Sequence, residues 1–213
     1  MLVADSATLF PTTRYRSEVA NLLAGRRHTI AKSLAAFEQR DAALAAIAGV
    51  LVGTLRRGGK VLVAGNGGSA AEAQHFAGEL VGRFLLERRP YAAIALCVDS
   101  AILTAVGNDY GFEDIFARQL LALGQPGDLF LAYSTSGNSP NLIRAALAAH
   151  TRQMTVAVVT GDLPNELERV ADLSLRVPAT ATPVIQELQM IVTHILCGIV
   201  EAELVAADRE VVG

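Results

Sequence analysis

A histidine and a glutamate four residues apart, His75 and Glu79, stand within 64-AGNGGSAAEAQHFAGELVGRF-84. On a helix that spacing puts both side chains on one face, one turn apart. An imidazole and a carboxylate so placed can pass protons or share a metal ion, although the same pair is common as a plain surface interaction. A second set interrupts the apolar run 184-VIQELQMIVTHILCGIV-200, namely Gln186, Glu187 and His194. At 3.6 residues per turn, positions 186 and 194 lie about 80° apart around a helix and 187 and 194 about 20°. Either could accompany His194, and a lone histidine on an apolar helix is also an ordinary core residue.

Two loops could hold a ligand beside these groups. Gly65-Asn66-Gly67-Gly68-Ser69 follows the apolar run Val61–Ala64, and its glycines allow tight turning and close backbone approach. As a dinucleotide fingerprint it fails: the position three after Gly68 is Ala71, there is no G-K-[ST], and Asp99 past the second apolar run is a weak ribose-binding acid. The plainest reading has Asn66 and Ser69 forming a turn and capping a helix from about Ala70, worth about 1 kcal/mol. The second loop, 134-STSGNSPN-141, offers the hydroxyls of Ser134, Thr135, Ser136 and Ser139, with Ser139 at an N-cap and Pro140 in the first helical position. Hydroxyls and free N–H groups at a helix N-terminus are the parts of a phosphate cradle. Each hydrogen bond to a charged group contributes about 1.5–3 kcal/mol, so neutral donors suffice for a phosphomonoester; a solvated Ser/Thr/Asn turn is the alternative. Asn108 and Asp109, in 106-VGNDYG-111, read as turn residues, and Arg83 as a phosphate contact or an exposed charge.

These residues need a scaffold, and the chain supplies short apolar runs separated by helical stretches: 60-KVLVAG-65, 92-AAIALCV-98, 128-DLFLAYS-134, 154-MTVAVVT-160 and 172-DLSLRVP-178. Continuous rather than alternating apolarity marks strands covered on both faces, as in a parallel sheet of βαβ units. The pattern predicts a three-layer αβα sandwich around a five-stranded, mainly parallel sheet, with ligands beyond the carboxyl ends of the strands. Residues 1–13 read as a flexible arm and 14–213 as one domain, opening with a helical segment over 14–57 broken near Gly25-Arg26-Arg27. Within that segment Leu34, Phe37, Leu44, Ile47 and Leu51 recur at amphipathic spacing. Gly58-Gly59 ends it, and a last helix runs from about Pro183 to Val205.

Composition narrows the function classes. The chain has 213 residues, 52% of them hydrophobic, and a net charge of −3, so no strong field would draw it to nucleic acid or an anionic membrane. Cys97 and Cys197 lie in apolar runs without C-x-x-C spacing and read as buried thiols of a reducing cytoplasm. No basic-then-apolar leader opens the sequence, and 191-IVTHILCGIV-200 is too short to span a bilayer.

Taken together, GNGGSAAEAQHFAGEL, VGNDYGFEDIF, STSGNSPN and IQELQMIVTHIL, in order over roughly Leu44 to Glu201, resemble the sugar isomerase (SIS) domain family, and most closely its phosphoheptose isomerases. The resemblance implies a cytoplasmic homotetramer with active sites between subunits, converting sedoheptulose 7-phosphate to D-glycero-D-manno-heptose 7-phosphate on the way to nucleotide-activated heptose. It places metal ligands on His75, Glu79, Gln186 and His194, with one Zn2+ per site in some members. It places substrate contacts on Asn66, Gly67, Gly68, Glu79, Arg83, Asn108, Asp109, Ser134, Thr135, Ser136, Ser139 and Gln186. It assigns Glu79 as the base at carbon and His194 as its acid/base partner in an enediol mechanism, with zinc polarising the carbonyl. Two departures touch substrate range: Gln189 replaces a histidine of many relatives, and 180-TATP-183 replaces a stretch that carries an aspartate in several. Competing readings are a non-catalytic SIS protein that assists a replication initiator, and an isomerase or sensor of another phosphosugar. Relatives of the first kind lack the equivalents of Glu79 and His194.

Overall fold

The computed structural model describes residues 12–212. All five apolar runs form strands: β1 (Val61–Ala64), β2 (Ala93–Ala95), β3 (Leu129–Tyr133), β4 (Thr155–Thr160) and β5 (Leu173–Arg176). They pair in the order β2-β1-β3-β4-β5, and every pairing is parallel. The expected "mainly parallel" sheet is wholly so, because each strand returns to the sheet through a helical crossover. Every residue of β1 and β3 is buried. Successive side chains feed opposite cores, as the two-residue period requires: Val61, Val63, Leu129 and Leu131 face one, and Leu62, Ala64, Phe130 and Ala132 the other.

The first core lies under α2 (Asp41–Arg56), α3 (Gly68–Val81) and α8 (Thr182–Val212). The second lies under α5 (Ala117–Leu123), α6 (Pro140–Thr151) and α7 (Glu166–Arg169). Helix α4 (Ser100–Asp109) precedes α5 and is capped by Asp99, whose carboxylate accepts the Ile102 N–H at 3.0 Å. Asp99 is thus a helix cap, and Asn108 and Asp109 are the last residues of a helix rather than a turn.

The N-terminal segment departs from expectation. Helix α1 (Thr12–Phe37) runs unbroken through Gly25, and the break falls at residues 38–40 as a single 3-10 turn. An exposed glycine costs a helix only about 1 kcal/mol. The turn is fixed instead by Arg40, which donates to Asp162 Oδ1 at 2.6 Å and to the Arg176 carbonyl at 2.7 Å. Phe37, Leu44, Ile47 and Leu51 are buried as the periodicity requires, whereas Leu34 is 36% exposed. The arm expected over residues 1–13 lies outside the described residues except for Thr12 and Thr13, which open α1. Helix α2 ends as expected, with Gly58 at φ 77° and the Gly59 N–H closing back on the Thr54 carbonyl at 3.0 Å.

Helix α8 outlasts its expected end at Val205 by a further two turns. Residues 182–206 are long and apolar enough, by length and composition, to cross a membrane. In the fold Ile185, Leu188, Val192, Leu196 and Val200 instead bury one face of the helix against the sheet and α3. Each such side chain contributes about 1.5–3 kcal/mol.

Candidate active site

The seam between α3 and α8 gathers three of the four expected metal or acid/base residues. His75 and Glu79 project from α3, with His75 Nε2 3.5 Å from Glu79 Oε1, and across the seam His75 Nε2 meets His194 Nε2 at 3.0 Å. A hydrogen bond between two imidazole nitrogens needs one N–H and one bare nitrogen, so at least one ring presents an unprotonated Nε2. The rings meet edge to face, and Phe84 stacks on the other side of His194 with centroids 5.4 Å apart. His75 and Glu79 retain 36% and 22% of their side-chain exposure. A carboxyl group and two imidazoles thus share one open site, which is the equipment for moving protons between neighbouring carbon and oxygen atoms.

The β1–α3 loop lies at the head of the same helix. Gly67, at φ 56°, takes a conformation other residues avoid, and a Cβ on Gly68 would stand 2.2 Å from Gln186 Nε2. The glycines therefore seat the Gln186 amide against bare backbone. Ser69 does not cap the helix, which starts at Gly68 without a side-chain cap. Its buried hydroxyl donates to Gln189 Oε1 at 3.2 Å. The Gln189 amide in turn donates to the Val159 and Ser134 carbonyls at 3.0 and 3.3 Å. The departure at position 189 is thus a fully buried brace between the first turn of α3, strand β4 and the residue that follows β3.

The crevice where the strand order reverses lies between β1 and β3, the usual ligand position in such sheets. The loop after β1 is tied to the first turn of α6 by a reciprocal amide pair, Asn66 and Asn141, with both bonds at 2.9 Å. In the β3–α6 loop the Ser134 oxygen is buried and accepts the Gly137 N–H at 3.0 Å, and Ser136 Oγ accepts the Asn138 N–H at 3.2 Å. Ser139 occupies the N-cap position with Pro140 following, but makes no side-chain cap bond. Thr135 and Ser136 line a cavity of about 240 Å³ with Asp162, Thr180 and Thr182. Gly137 has φ 66°, and a Cβ there would fall 2.1 Å from Asn165.

The remaining candidates stand apart. Asn108 Nδ2 donates to Asp109 Oδ1 at 2.8 Å, both exposed at the end of α4. Arg83 reaches Glu87 at 3.8 Å on the surface. Glu72, a residue the sequence reading passed over, is 5% exposed, and its Oε1 has no hydrogen-bond partner. It faces a cavity shared with Gly68 and Gln186. Desolvation pushes its carboxyl up to about 7. Its signal was available: position 72 is three before His75, close to the same helix face.

Zinc with ligands at about 2.0–2.2 Å holds neighbouring donor atoms roughly 3.3 Å apart, and the two separations measured from His75, 3.0 and 3.5 Å, bracket that value. Among the described residues, however, no group of three His, Cys, Asp or Glu is arranged to hold a metal ion. The fit is therefore one of donor types and pairwise distances, and not of a formed cage.

Residues 27–161 match the SIS domain family. The phosphoheptose isomerase of Rhodospirillum rubrum is 52% identical over 162 residues, 76% of this chain and 86% of that protein. The chain belongs to the SIS-domain phosphoheptose isomerase family. The member from Burkholderia pseudomallei is 46% identical over 183 residues, 86% of this chain and 92% of its own length. Two members of solved structure share the fold: that of Francisella tularensis, with a TM-score of 0.82 at 38% identity over 86% of this chain and 98% of its own, and that of Neisseria gonorrhoeae, with 0.79 at 37% over 88% and 99%.

Proposed function

We propose that the chain isomerises sedoheptulose 7-phosphate to D-glycero-D-manno-heptose 7-phosphate, the aldose–ketose exchange that opens nucleotide-activated heptose synthesis. The observation that carries this reading is a chain about half identical to phosphoheptose isomerases over most of its length, with His75, Glu79 and His194 in one open site. Glu79 takes the proton from the carbon beside the carbonyl and returns it to the neighbouring carbon. His194, held against His75, moves the hydroxyl proton in the opposite sense, so charge does not accumulate on the enediol. Asn66, Gly67, Gly68 and Gln186 hold the sugar, with Arg83, Asn108 and Asp109 as further contacts. Thr135, Ser136 and Ser139 hold the phosphate at the head of α6, and Ser134 shapes that loop from within.

A zinc ion, if bound, would be held by His75, Glu79, Gln186 and His194 and would supply carbonyl polarisation. The donor chemistry supports this. Metal analysis of protein purified without chelators should find one zinc per chain; activity unchanged after complete metal removal would reject a catalytic role. A cytoplasmic homotetramer is the proposed form, supported by the free cysteines Cys97 and Cys197 and by Tyr15, Val19, Leu22 and Leu23 of α1, which are 51–67% exposed. A monomeric mass by light scattering would contradict it. The function itself is tested by incubating metal-replete protein with sedoheptulose 7-phosphate. No turnover, beside good turnover of another phosphosugar, would overturn the assignment.

A further inference from the structure

Below the histidine pair, the seam between α3 and α8 holds a second polar cluster that takes no part in the chemistry above. Glu201, two turns along α8 from His194, is 2% exposed, and its carboxylate accepts four hydrogen bonds. Three come from consecutive backbone N–H groups, Phe84 at 2.8 Å, Leu85 at 2.8 Å and Leu86 at 2.9 Å, and the fourth from Arg88 Nε at 3.0 Å. The Arg88 guanidinium then donates to the carbonyls of Glu79 at 2.7 Å and Leu80 at 2.8 Å, the orphan acceptors at the end of α3. It also lies 4.3 Å from the centroid of the Tyr91 ring. One buried ion pair thus fixes both the backbone of Glu79 and the residue 84 amide.

The side chain fixed by that amide is the one that touches His194. The Phe84 ring lies 25° from parallel to the imidazole, above Gly198 of α8, where a Cβ would come no nearer than 3.8 Å. With His75 at the edge and Phe84 on the face, the His194 ring is held from two sides. We propose that Phe84, anchored by the buried Glu201–Arg88 pair, is a positioning residue that fixes the His194 ring for proton transfer. A ring held by packing keeps its nitrogen in the productive direction, and small misplacements of a reacting group are costly in rate. The inference rests on the acid/base role proposed for His194, and the test separates the two.

The test compares Phe84→Leu, which removes the aromatic face at similar volume, with Phe84→Tyr, which keeps it. Phe84→Leu should lower kcat for sedoheptulose 7-phosphate roughly tenfold with KM within about twofold, and Phe84→Tyr should restore it. In imidazole proton NMR spectra, the upfield displacement that a stacked ring imposes on His194 should be lost in Phe84→Leu and kept in Phe84→Tyr. Glu201→Gln should move the same resonance, which ties the anchor to the ring. Wild-type kcat in Phe84→Leu, a loss that Phe84→Tyr does not restore, or an unmoved His194 resonance in Phe84→Leu or Glu201→Gln overturns the proposal. His194→Asn decides the underlying reading: if it retains turnover while Phe84→Leu still moves the His194 signal, the acid/base assignment has failed and the contact stands alone.

Discussion

Two polar clusters share the seam between α3 and α8, and they differ in how completely their hydrogen bonds are met. At His75, Glu79 and His194 the side chains are partly open and contact each other through a single 3.0 Å bond and a 3.5 Å approach. At Arg88 and Glu201 the side chains are 2% and 3% exposed, and both carboxylate oxygens and all three guanidinium nitrogens are engaged. A group that must bind substrate and exchange protons needs unused hydrogen-bonding capacity. A buried charge that only holds shape must have none, because an unmet buried charge costs several kcal/mol. The contrast separates chemistry from scaffold along one seam of the fold, and each of the following experiments presses on it.

The largest effect should fall on rate. Glu79→Gln removes the carboxylate base and should cut kcat by roughly 10²–10⁴, with substrate binding by calorimetry nearly unchanged; an active variant would sink the base assignment. The next should fall chiefly on stability: Arg88→Met removes the ion partner of the buried Glu201 and should cost about 3–5 kcal/mol in denaturant unfolding, with a smaller loss of kcat transmitted through Phe84. Burial pushes the Glu201 carboxyl up, but the three backbone N–H groups and Arg88 outweigh it and hold it below the usual carboxylate range. Its contribution is therefore present above about pH 4.5 and should fade as the pH drops through its lowered value. If Arg88→Met left the unfolding midpoint unmoved, the two clusters would not differ as described.

Glu72 lies between these extremes, buried like Glu201 but with one oxygen unpartnered. With its carboxyl raised from 4.5 to about 7, the folded state prefers it protonated, so stability should fall as pH rises from about 4.5 through 7. Glu72→Gln should remove that slope and gain on the order of 3 kcal/mol at pH 8, read from melting curves across the range. A slope that persists in the variant would place its origin elsewhere. The smallest change in stability belongs to Ser139→Ala. With no cap bond to lose, stability should stay within about 0.5 kcal/mol, while a lost phosphate contact should raise KM roughly tenfold. An unchanged KM would remove Ser139 from the cradle.

The sequence carried the parts of the molecule governed by local rules. Strand positions followed from uninterrupted apolar runs, and the shared face of His75 and Glu79 from their spacing on a helix. The features that escaped depend on partners distant in the chain. The N-terminal helix breaks where Arg40 finds Asp162 and the Arg176 carbonyl, and not at the glycine. Ser69 looks like a cap until Gln189 takes its hydroxyl. Glu201 and Arg88 look like ordinary helix and loop charges, and nothing local predicts that three amides 115–117 positions upstream converge on one carboxylate.

The strand order has a consequence for how the chain reaches this state. Val61 of β1 pairs with Ala93 on one side and with Leu129 on the other, so the first strand made cannot be flanked until more than half the chain exists. During synthesis α2 emerges before the sheet it covers, and the fully apolar β1 waits with open edges. Such distant pairings make folding slower than that of a helical bundle built from local contacts. They also leave an interval in which an unpaired strand can meet another chain before its own partner arrives.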